Sequence, residues 1–207
     1  MSLFIPTYFS PIIQYATIIN TDKITFEVED NFQKQTYRNR CYIYGANGKQ
    51  LLNIPVKHTA STKRKKTKDT LVENNFNWQS QHLKSLQAAY RSSPFFEFYE
   101  DDLLPIFTKK YTYLIDVTID TFLFLTDALQ ISSAYTKTIE YEITPSINDY
   151  RNLAIAKNGV TLIMKPYVQM FDDKHGFIPN LSILDLLFME GPNTLSLLEN
   201  ISENLKK

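Results

Sequence analysis

The sequence predicts an α/β fold: a mostly parallel sheet with a β-hairpin extension and packed helices. The first observation behind this prediction is the opening of the chain, where a strand, a helix and a second strand follow one another. A connection through a helix lets two strands pair in parallel. The second observation is Gly45-Ala46-Asn47-Gly48 between two β-rich runs, because Asn-Gly supplies the positive φ that a tight hairpin needs.

The first part of the chain contains the predicted sheet. Residues 3–5 form a short strand and residues 12–19 an apolar helix. Residues 24–29 alternate apolar and polar side chains, the pattern of a half-buried strand. Residues 40–44 and 50–56 are the two strands of the hairpin.

The second part of the chain is mainly helical. Apolar side chains spaced at three and four predict two or three helices within residues 78–131. Further strands are predicted at residues 135–143 and 160–167. The tetrapeptide from Ser182 to Asp185 fits a capping box and begins another helix, and residues 194–205 form a last amphipathic helix.

Composition limits the classes of protein that fit this chain. The 207 residues contain 22 Lys plus Arg and 22 Asp plus Glu, and this balance argues against a histone-like or ribosomal-protein-like role. The five glycines form neither of the standard phosphate-binding loops. Cys41 is the only cysteine, so no intrachain disulfide can form. Residues 1–207 are expected to form one domain.

The sequence predicts a cytoplasmic protein without a membrane span. The first basic residue is Lys23, and Pro6 and Pro11 interrupt the apolar stretch before it, which argues against a signal peptide. Residues 114–131 are long and apolar but contain three aspartates, whose charges would be costly inside a bilayer. This stretch is therefore predicted to be a buried helix.

Residues 57–76 are predicted to be a mobile basic loop. Six cations and no acids lie between Lys57 and Lys68, a composition that is too polar to pack. Such a run can contact the phosphates of RNA or lipid, but most basic runs are only solvated. A nucleic-acid partner is therefore disfavoured.

The segment from residue 32 to residue 40 mixes amides, cations and aromatic residues between two predicted strands. Candidate ligand-binding residues here are Gln33, Lys34, Arg38, Asn39 and Arg40. The arginines offer planar forks for a phosphate or a carboxylate, and Lys34 offers a point charge. In the alternative interpretation, the segment is a solvated turn whose cations pair with the nearby acids of residues 27–30. The residues alone do not separate these two interpretations.

Two other regions supply candidate residues. His82 shares a helical face with Trp78 and Leu86, so it is either a general base or a packed core histidine. The stretch from residue 167 to residue 180 is rich in polar and aromatic side chains, among them Gln169, His175 and Asn180, which suits a sugar or nucleoside pocket or a plain packed loop. Three dispersed histidines and one cysteine predict neither a metal site nor a cofactor.

Five blocks of residues occur in an order and spacing that are specific to one family. They are Pro6-Thr7-Tyr8-Phe9-Ser10-Pro11-Ile12; Gln33-Lys34-Gln35 with Tyr37-Arg38-Asn39-Arg40; Asn53-Ile54-Pro55-Val56; Trp78 with His82; and Gly176-Phe177-Ile178-Pro179-Asn180-Leu181-Ser182. With these blocks the chain resembles the WbqC-like protein family, from residue 5 to about residue 192. The region of residues 131–150 is shorter than in longer members of the family and lacks an α/β segment that they carry.

The resemblance implies a bacterial cytoplasmic protein, whose relatives occur in gene clusters for O-antigen and other surface polysaccharides. The function expected from it is precursor biosynthesis on a nucleotide-linked amino sugar, as an acyl or aminoacyl transferase. In that hypothesis the proton acceptor is Lys34 or His82. The residues that hold the diphosphate and the sugar hydroxyls are Arg38, Arg40, Gln169 and Asn180.

The alternative is a non-catalytic binding or scaffold protein for the enzymes of glycan assembly. The two hypotheses make different predictions about where the candidate residues lie in the folded protein. Convergence of Lys34, Arg38, Arg40, His82 and Gln169 on one cleft favours an enzyme, and dispersal of these residues favours a scaffold.

Overall fold

The protein has the predicted α/β fold in a computed structural model, which describes residues 1–57, 65–157 and 159–205. Four strands form a parallel sheet, and two form an antiparallel hairpin. The strands are β1 Ser2–Phe4, β2 Ile24–Phe26, β3 Arg40–Gly45, β4 Gly48–Asn53, β5 Tyr135–Lys137 and β6 Asn148–Asp149. The order in the parallel sheet is β5-β2-β1-β6.

Helices pack around this sheet. They are α1 Ile12–Ile18, α2 Trp78–Tyr90, α3 Phe96–Thr108, α4 Leu114–Ala128, α5 Asp172–His175, α6 Ile183–Glu190 and α7 Thr194–Leu205. Three of them, α2 to α4, fill the region for which two or three helices were predicted. Part of the core lies between the sheet and α4, where the Phe26 ring meets Phe122 edge to face at 5.1 Å.

The opening strand, helix and strand pair as predicted. Ser2 lies beside Ile24 in the parallel register of β1 and β2, and α1 connects the two strands. The hairpin of β3 and β4 is also confirmed, with Gly45 opposite Gly48. Ala46 and Asn47 form the turn of the hairpin. Gly48, which follows them, has a φ of +90°, a conformation that glycine adopts readily because it has no Cβ.

The prediction of a strand at residues 160–167 was wrong for this stretch, which has no strand in the structure. The apolar residues of this stretch do differ in burial: Leu162 is buried, whereas Val160 and Ile163 are exposed. A strand also requires a neighbour with which to form hydrogen bonds, and the place beside β1 is taken by the two-residue β6, which was not predicted.

The basic stretch packs more than its composition suggested. Residues 58–64 lie outside the described part of the chain. From Lys65 onward the chain is held against the protein: Phe32 N donates to Lys65 O at 2.8 Å, Thr67 N donates to Asp30 O at 2.8 Å, and Val72 is buried. Glu29 forms ion pairs with Lys66 and Lys68 of this part, which therefore packs despite its charge.

The two C-terminal helices begin where predicted. Ser182 caps α6, because its Oγ accepts a hydrogen bond from Leu184 N at 3.3 Å. Asp185 takes no part in that cap and instead lies fully buried among hydroxyl groups. None of the helices in the described ranges is long and apolar enough to cross a membrane.

Candidate functional site

A group of polar and aromatic side chains gathers beside the end of β4. Tyr8 comes from the loop after the carboxyl end of β1, the edge of a parallel sheet at which ligands commonly bind. The hairpin contributes two of the other side chains, the residue before β3 contributes one, and α2 contributes two. We call this group the Asn53 cluster; its members are Tyr8, Asn39, Arg40, Asn53, Trp78 and His82.

Direct contacts hold the Asn53 cluster together. The Tyr8 hydroxyl and His82 Nδ1 are 2.9 Å apart. Asn39 Nδ2 donates to Asn53 Oδ1 at 3.1 Å and to the Ile54 carbonyl at 2.9 Å. The Trp78 ring lies edge-on to His82 with 5.3 Å between ring centroids. Tyr8, Asn39, Trp78 and His82 are buried, whereas Asn53 is exposed and Arg40 half-buried, so the cluster reaches the surface there.

His82 is a neutral imidazole in this setting. Burial lowers its pKa from 6.5 to about 4, although a hydrogen bond to the main chain of Asn53 acts in the opposite direction. Burial likewise raises the pKa of the Tyr8 phenol, which stays protonated and can donate to His82 Nδ1. With the ring held by both neighbours, the geometry favours the packed core histidine over a free general base.

Arg38 lies next to the cluster in a buried ion pair. Its guanidinium contacts the Asp30 carboxylate and donates from NH1 to Thr36 Oγ1 at 3.2 Å. Burial lowers the pKa of Arg38, and Asp30 opposes that change. The interpretation in which the cations of this segment pair with nearby acids therefore holds for Arg38. The segment was expected to be solvated in that interpretation, however, and this pair is buried.

The other acids of residues 27–30 are paired too. Glu29 accepts from Lys66 and Lys68 at 2.5 Å each, and these bonds lower the pKa of its carboxyl group. Glu27 is fully buried and lies 3.4 Å from Arg151. No group of three or more His, Cys, Asp or Glu in the described ranges could hold a metal ion.

Several buried polar atoms in and beside the Asn53 cluster have no hydrogen-bond partner. In native proteins about 90% or more of buried polar groups are paired, and leaving one unpaired costs about 1–3 kcal/mol. Within the described residues, the unpaired atoms of the cluster are Asn39 Oδ1, Arg40 Nε and Trp78 Nε1. Two more unpaired atoms, Arg38 Nε and Lys65 Nζ, belong to the residue before Asn39 and to the segment that bonds Phe32. Donors on cations and an amide oxygen thus lack a partner within the described part of the chain.

The remaining candidates of the loop before β3 are at the surface. Gln33 and Lys34 are exposed, and the Gln33 carbonyl accepts a hydrogen bond from Thr36 Oγ1 at 2.8 Å. They precede the buried residues 36–39 along the chain.

Gln169 belongs to a separate buried network. Its Nε2 donates to Asp185 Oδ2 at 2.8 Å and to the Ile178 carbonyl at 3.0 Å. Tyr90 and Tyr167 donate to the same carboxylate, but burial still raises the pKa of Asp185. All these groups are already hydrogen-bonded to one another, so Gln169 fixes the chain around α6.

His175 and Asn180 are also tied to neighbouring main chain. His175 is exposed, and its Nε2 lies 3.0 Å from the Ala46 carbonyl at the tip of the hairpin. Asn180 has a φ of +54°, and its Oδ1 accepts from Ile13 N at 3.0 Å, in the first turn of α1. The structure therefore places Asn39, Arg40 and His82 each beside Asn53 and leaves Gln169, His175 and Asn180 elsewhere.

The family comparison agrees with the placement of the first four sequence blocks. A family model for the WbqC-like protein family matches residues 6–161, which include every member of the Asn53 cluster. The chain belongs to the WbqC-like protein family. No curated protein and no solved structure matches the chain. In this WbqC-like protein, the fifth block, with Asn180 and Ser182, lies beyond the matched range.

Three members of the cluster were not singled out as site residues from the sequence. Tyr8 and Asn53 stood only in the blocks that carry the family resemblance, and Trp78 stood there and as a helical neighbour of His82. Their shared position depends on the hairpin register and on the packing of α2 beside β3, neither of which a linear pattern reports. The signal that could have found them was the recurrence of polar and aromatic residues in those blocks.

Proposed function

We propose that this WbqC-like protein acts in the assembly of bacterial surface polysaccharides by binding a nucleotide-linked amino sugar at the Asn53 cluster, in the cytoplasm. The observation that supports this most is the set of unpaired buried polar atoms around the cluster. The polysaccharide context comes from the family resemblance, and the ligand chemistry comes from these atoms.

The charges suit a diphosphate. Arg38, Arg40 and Lys65 are three cations with unpaired N–H groups, and Asp30 is the carboxylate that pairs with one of them. Two positive charges therefore remain to neutralise the charge of a nucleotide diphosphate. A guanidinium that already uses one edge for Asp30 still has its Nε–H to donate to a phosphate oxygen.

The other groups suit a sugar. Asn39 Oδ1 can accept a hydrogen bond from an amine or a hydroxyl, and Trp78 Nε1 can only donate. Asn53 is exposed next to them, so a sugar ring that approaches the end of β4 meets both kinds of group.

Binding explains this geometry better than catalysis by His82. The imidazole of His82 is engaged by Tyr8 and by the main chain of Asn53, and its low pKa leaves it a weak base. An acyl or aminoacyl transfer to the amine would need another proton acceptor, for which Lys34 is the candidate because it is exposed in the adjacent loop. We therefore place the binding function first and the transferase second.

A thermal-shift measurement with UDP-glucosamine tests the binding proposal. A ligand at about one hundred times its dissociation constant stabilises the native state by about 2.7 kcal/mol, which raises the Tm of a chain of this size by about 5–11 °C. Arg40→Met removes the charge and the unpaired donor without breaking a buried pair, unlike a substitution of Arg38.

The matched control is Arg91→Met, which removes an exposed arginine on the surface of the helical region. The proposal expects stabilisation of the wild type and of the control, and a much smaller shift for Arg40→Met. Equal stabilisation of all three proteins would show that the ligand binds elsewhere, and no stabilisation of the wild type would contradict the proposal itself.

A further inference from the structure

A cavity of 510 Å³ lies on one face of the parallel sheet, away from the Asn53 cluster residues. Leu3, Thr25 and Thr136 lie side by side in the registers of β1, β2 and β5, so they share this face. The opposite face carries Phe26, which packs against α4. Parallel sheets are normally covered on both faces, but here residues 138–147 cross the first face without a helix or a strand.

The floor of the cavity is built from hydroxyl groups and a carboxylate. The Thr25 and Thr136 hydroxyls are 3.0 Å apart, so one donates to the other and each keeps hydrogen-bonding capacity. Thr138 Oγ1 donates to Glu27 Oε1 at 2.9 Å. This arrangement places fixed polar groups at the base of a space that is large enough for a small ligand, within the usual range of about 300–1,000 Å³.

The wall of the cavity is acidic and partly apolar. Glu140 and Glu142 are exposed in the segment that crosses the sheet, and the carboxylate of Glu27 lies at the floor. Lys137 is the one cationic side chain among the lining residues, which also include Met1 with its α-ammonium group. The apolar surface comes from Met1, Leu3, Ile139, Pro145 and Ile147.

Arg151 holds this wall in place. Its NH1 donates to the Glu142 carbonyl at 2.9 Å and its NH2 to the Ile143 carbonyl at 3.2 Å. The same guanidinium donates to Glu27 Oε2 and to both oxygens of Asp149, at the carboxyl edge of the sheet. The crossing segment is thus attached to the sheet by Thr138 at its start and by Arg151 near its end, and the cavity is formed before any ligand arrives.

We propose that this cavity is a second binding site, for a small organic amine that carries hydroxyl groups. The acidic lining attracts the ammonium group, the threonines and Ser146 hydrogen-bond the hydroxyls, and the apolar wall packs on the carbon skeleton. The site does not depend on the nucleotide-sugar proposal, because none of its lining residues belongs to the Asn53 cluster.

Titration calorimetry with glucosamine and N-acetylglucosamine tests this proposal. The two sugars differ in the charge at one nitrogen, so the proposal expects glucosamine to bind at least about tenfold more tightly. The double variant Glu140→Gln with Glu142→Gln should weaken glucosamine binding by about tenfold, since both side chains are exposed in the wall and the fold does not depend on them.

The matched control is the double variant Glu97→Gln with Asp101→Asn, which removes the same charge from the exposed side of α3. It should leave glucosamine binding unchanged, because neither residue lines the cavity. Equal binding of the two sugars, equal losses in both double variants, or no binding of glucosamine to the wild type would each overturn the proposal.

Discussion

Replacing Arg151 with methionine should destabilise the protein by about 3 kcal/mol. The substitution keeps an unbranched apolar side chain and removes the guanidinium. Glu27, fully buried, then loses its cation, and removing one partner of a buried ion pair costs about 3–5 kcal/mol. The lower end applies because Glu27 Oε1 keeps its bonds from Glu29 N at 2.8 Å and Thr138 Oγ1 at 2.9 Å.

The effect should also be local. Arg151 bonds the carbonyls of Glu142 and Ile143, so its loss frees the segment that crosses the sheet. For a chain of this size, 1 kcal/mol shifts the Tm by about 2–4 °C, and the expected drop is therefore about 6–12 °C. Calorimetry measures this drop. Hydrogen exchange should be faster than in the wild type at Thr138 and Tyr150, whose N–H groups bond Phe26 O at 2.9 Å and Leu3 O at 2.8 Å on either side of the segment.

The control for this prediction is Lys157→Met. Lys157 is exposed and has no ion pair within the described chain, so its replacement should change the Tm by less than about 1 °C. If Arg151→Met behaves like Lys157→Met in both measurements, Arg151 does not hold the wall of the cavity and the reasoning is refuted.

Three further predictions concern buried groups. Between pH 7.5 and pH 5 the wild type should lose about 2 kcal/mol more stability than His82→Gln. The reason is that histidine in the unfolded chain, with a pKa of about 6.5, takes up a proton in this range, whereas native His82, with a pKa of about 4, does not. Urea titrations at both pH values measure this difference. Arg38→Met alone should cost about 3–5 kcal/mol, and Asp30→Leu added to it should restore much of the loss, since an apolar pair can replace a buried ion pair; full additivity of the two changes would contradict the pairing. Cys41 is buried and its thiol pKa is raised, so a thiol reagent should label it only after denaturation.

The regular elements could be predicted because they depend on local patterns. Apolar spacing located α7 at residues 194–205, and the glycines of the hairpin turn located β3 and β4. Residues 160–167 show the limit of such patterns. Their alternation is real, but a strand forms only where a neighbouring strand is available, and that is a property of the whole sheet.

The candidate site was predictable only in part. The segment from residue 33 to residue 40 stood out by composition, and Asn39 and Arg40 do lie in the Asn53 cluster. The sequence left open whether Arg38 binds a ligand or pairs with a nearby acid. The structure shows the pair with Asp30, which forms because both side chains are buried, and composition does not reveal burial. Gln169 was selected for its polar side chain, yet its partner Asp185 is sixteen residues away and meets it only through the packing of α6.

The most direct test of the Asn53 cluster as a ligand site uses Trp78, the only tryptophan of the chain. Its indole N–H has no hydrogen-bond partner within the described residues, so it gives one NMR signal that reports on the cluster. Titration with UDP-glucosamine should shift this signal as the N–H acquires a partner, and Arg40→Met should require more ligand for the same shift. A ligand that stabilises the fold while the Trp78 signal stays in place would contradict the proposed site.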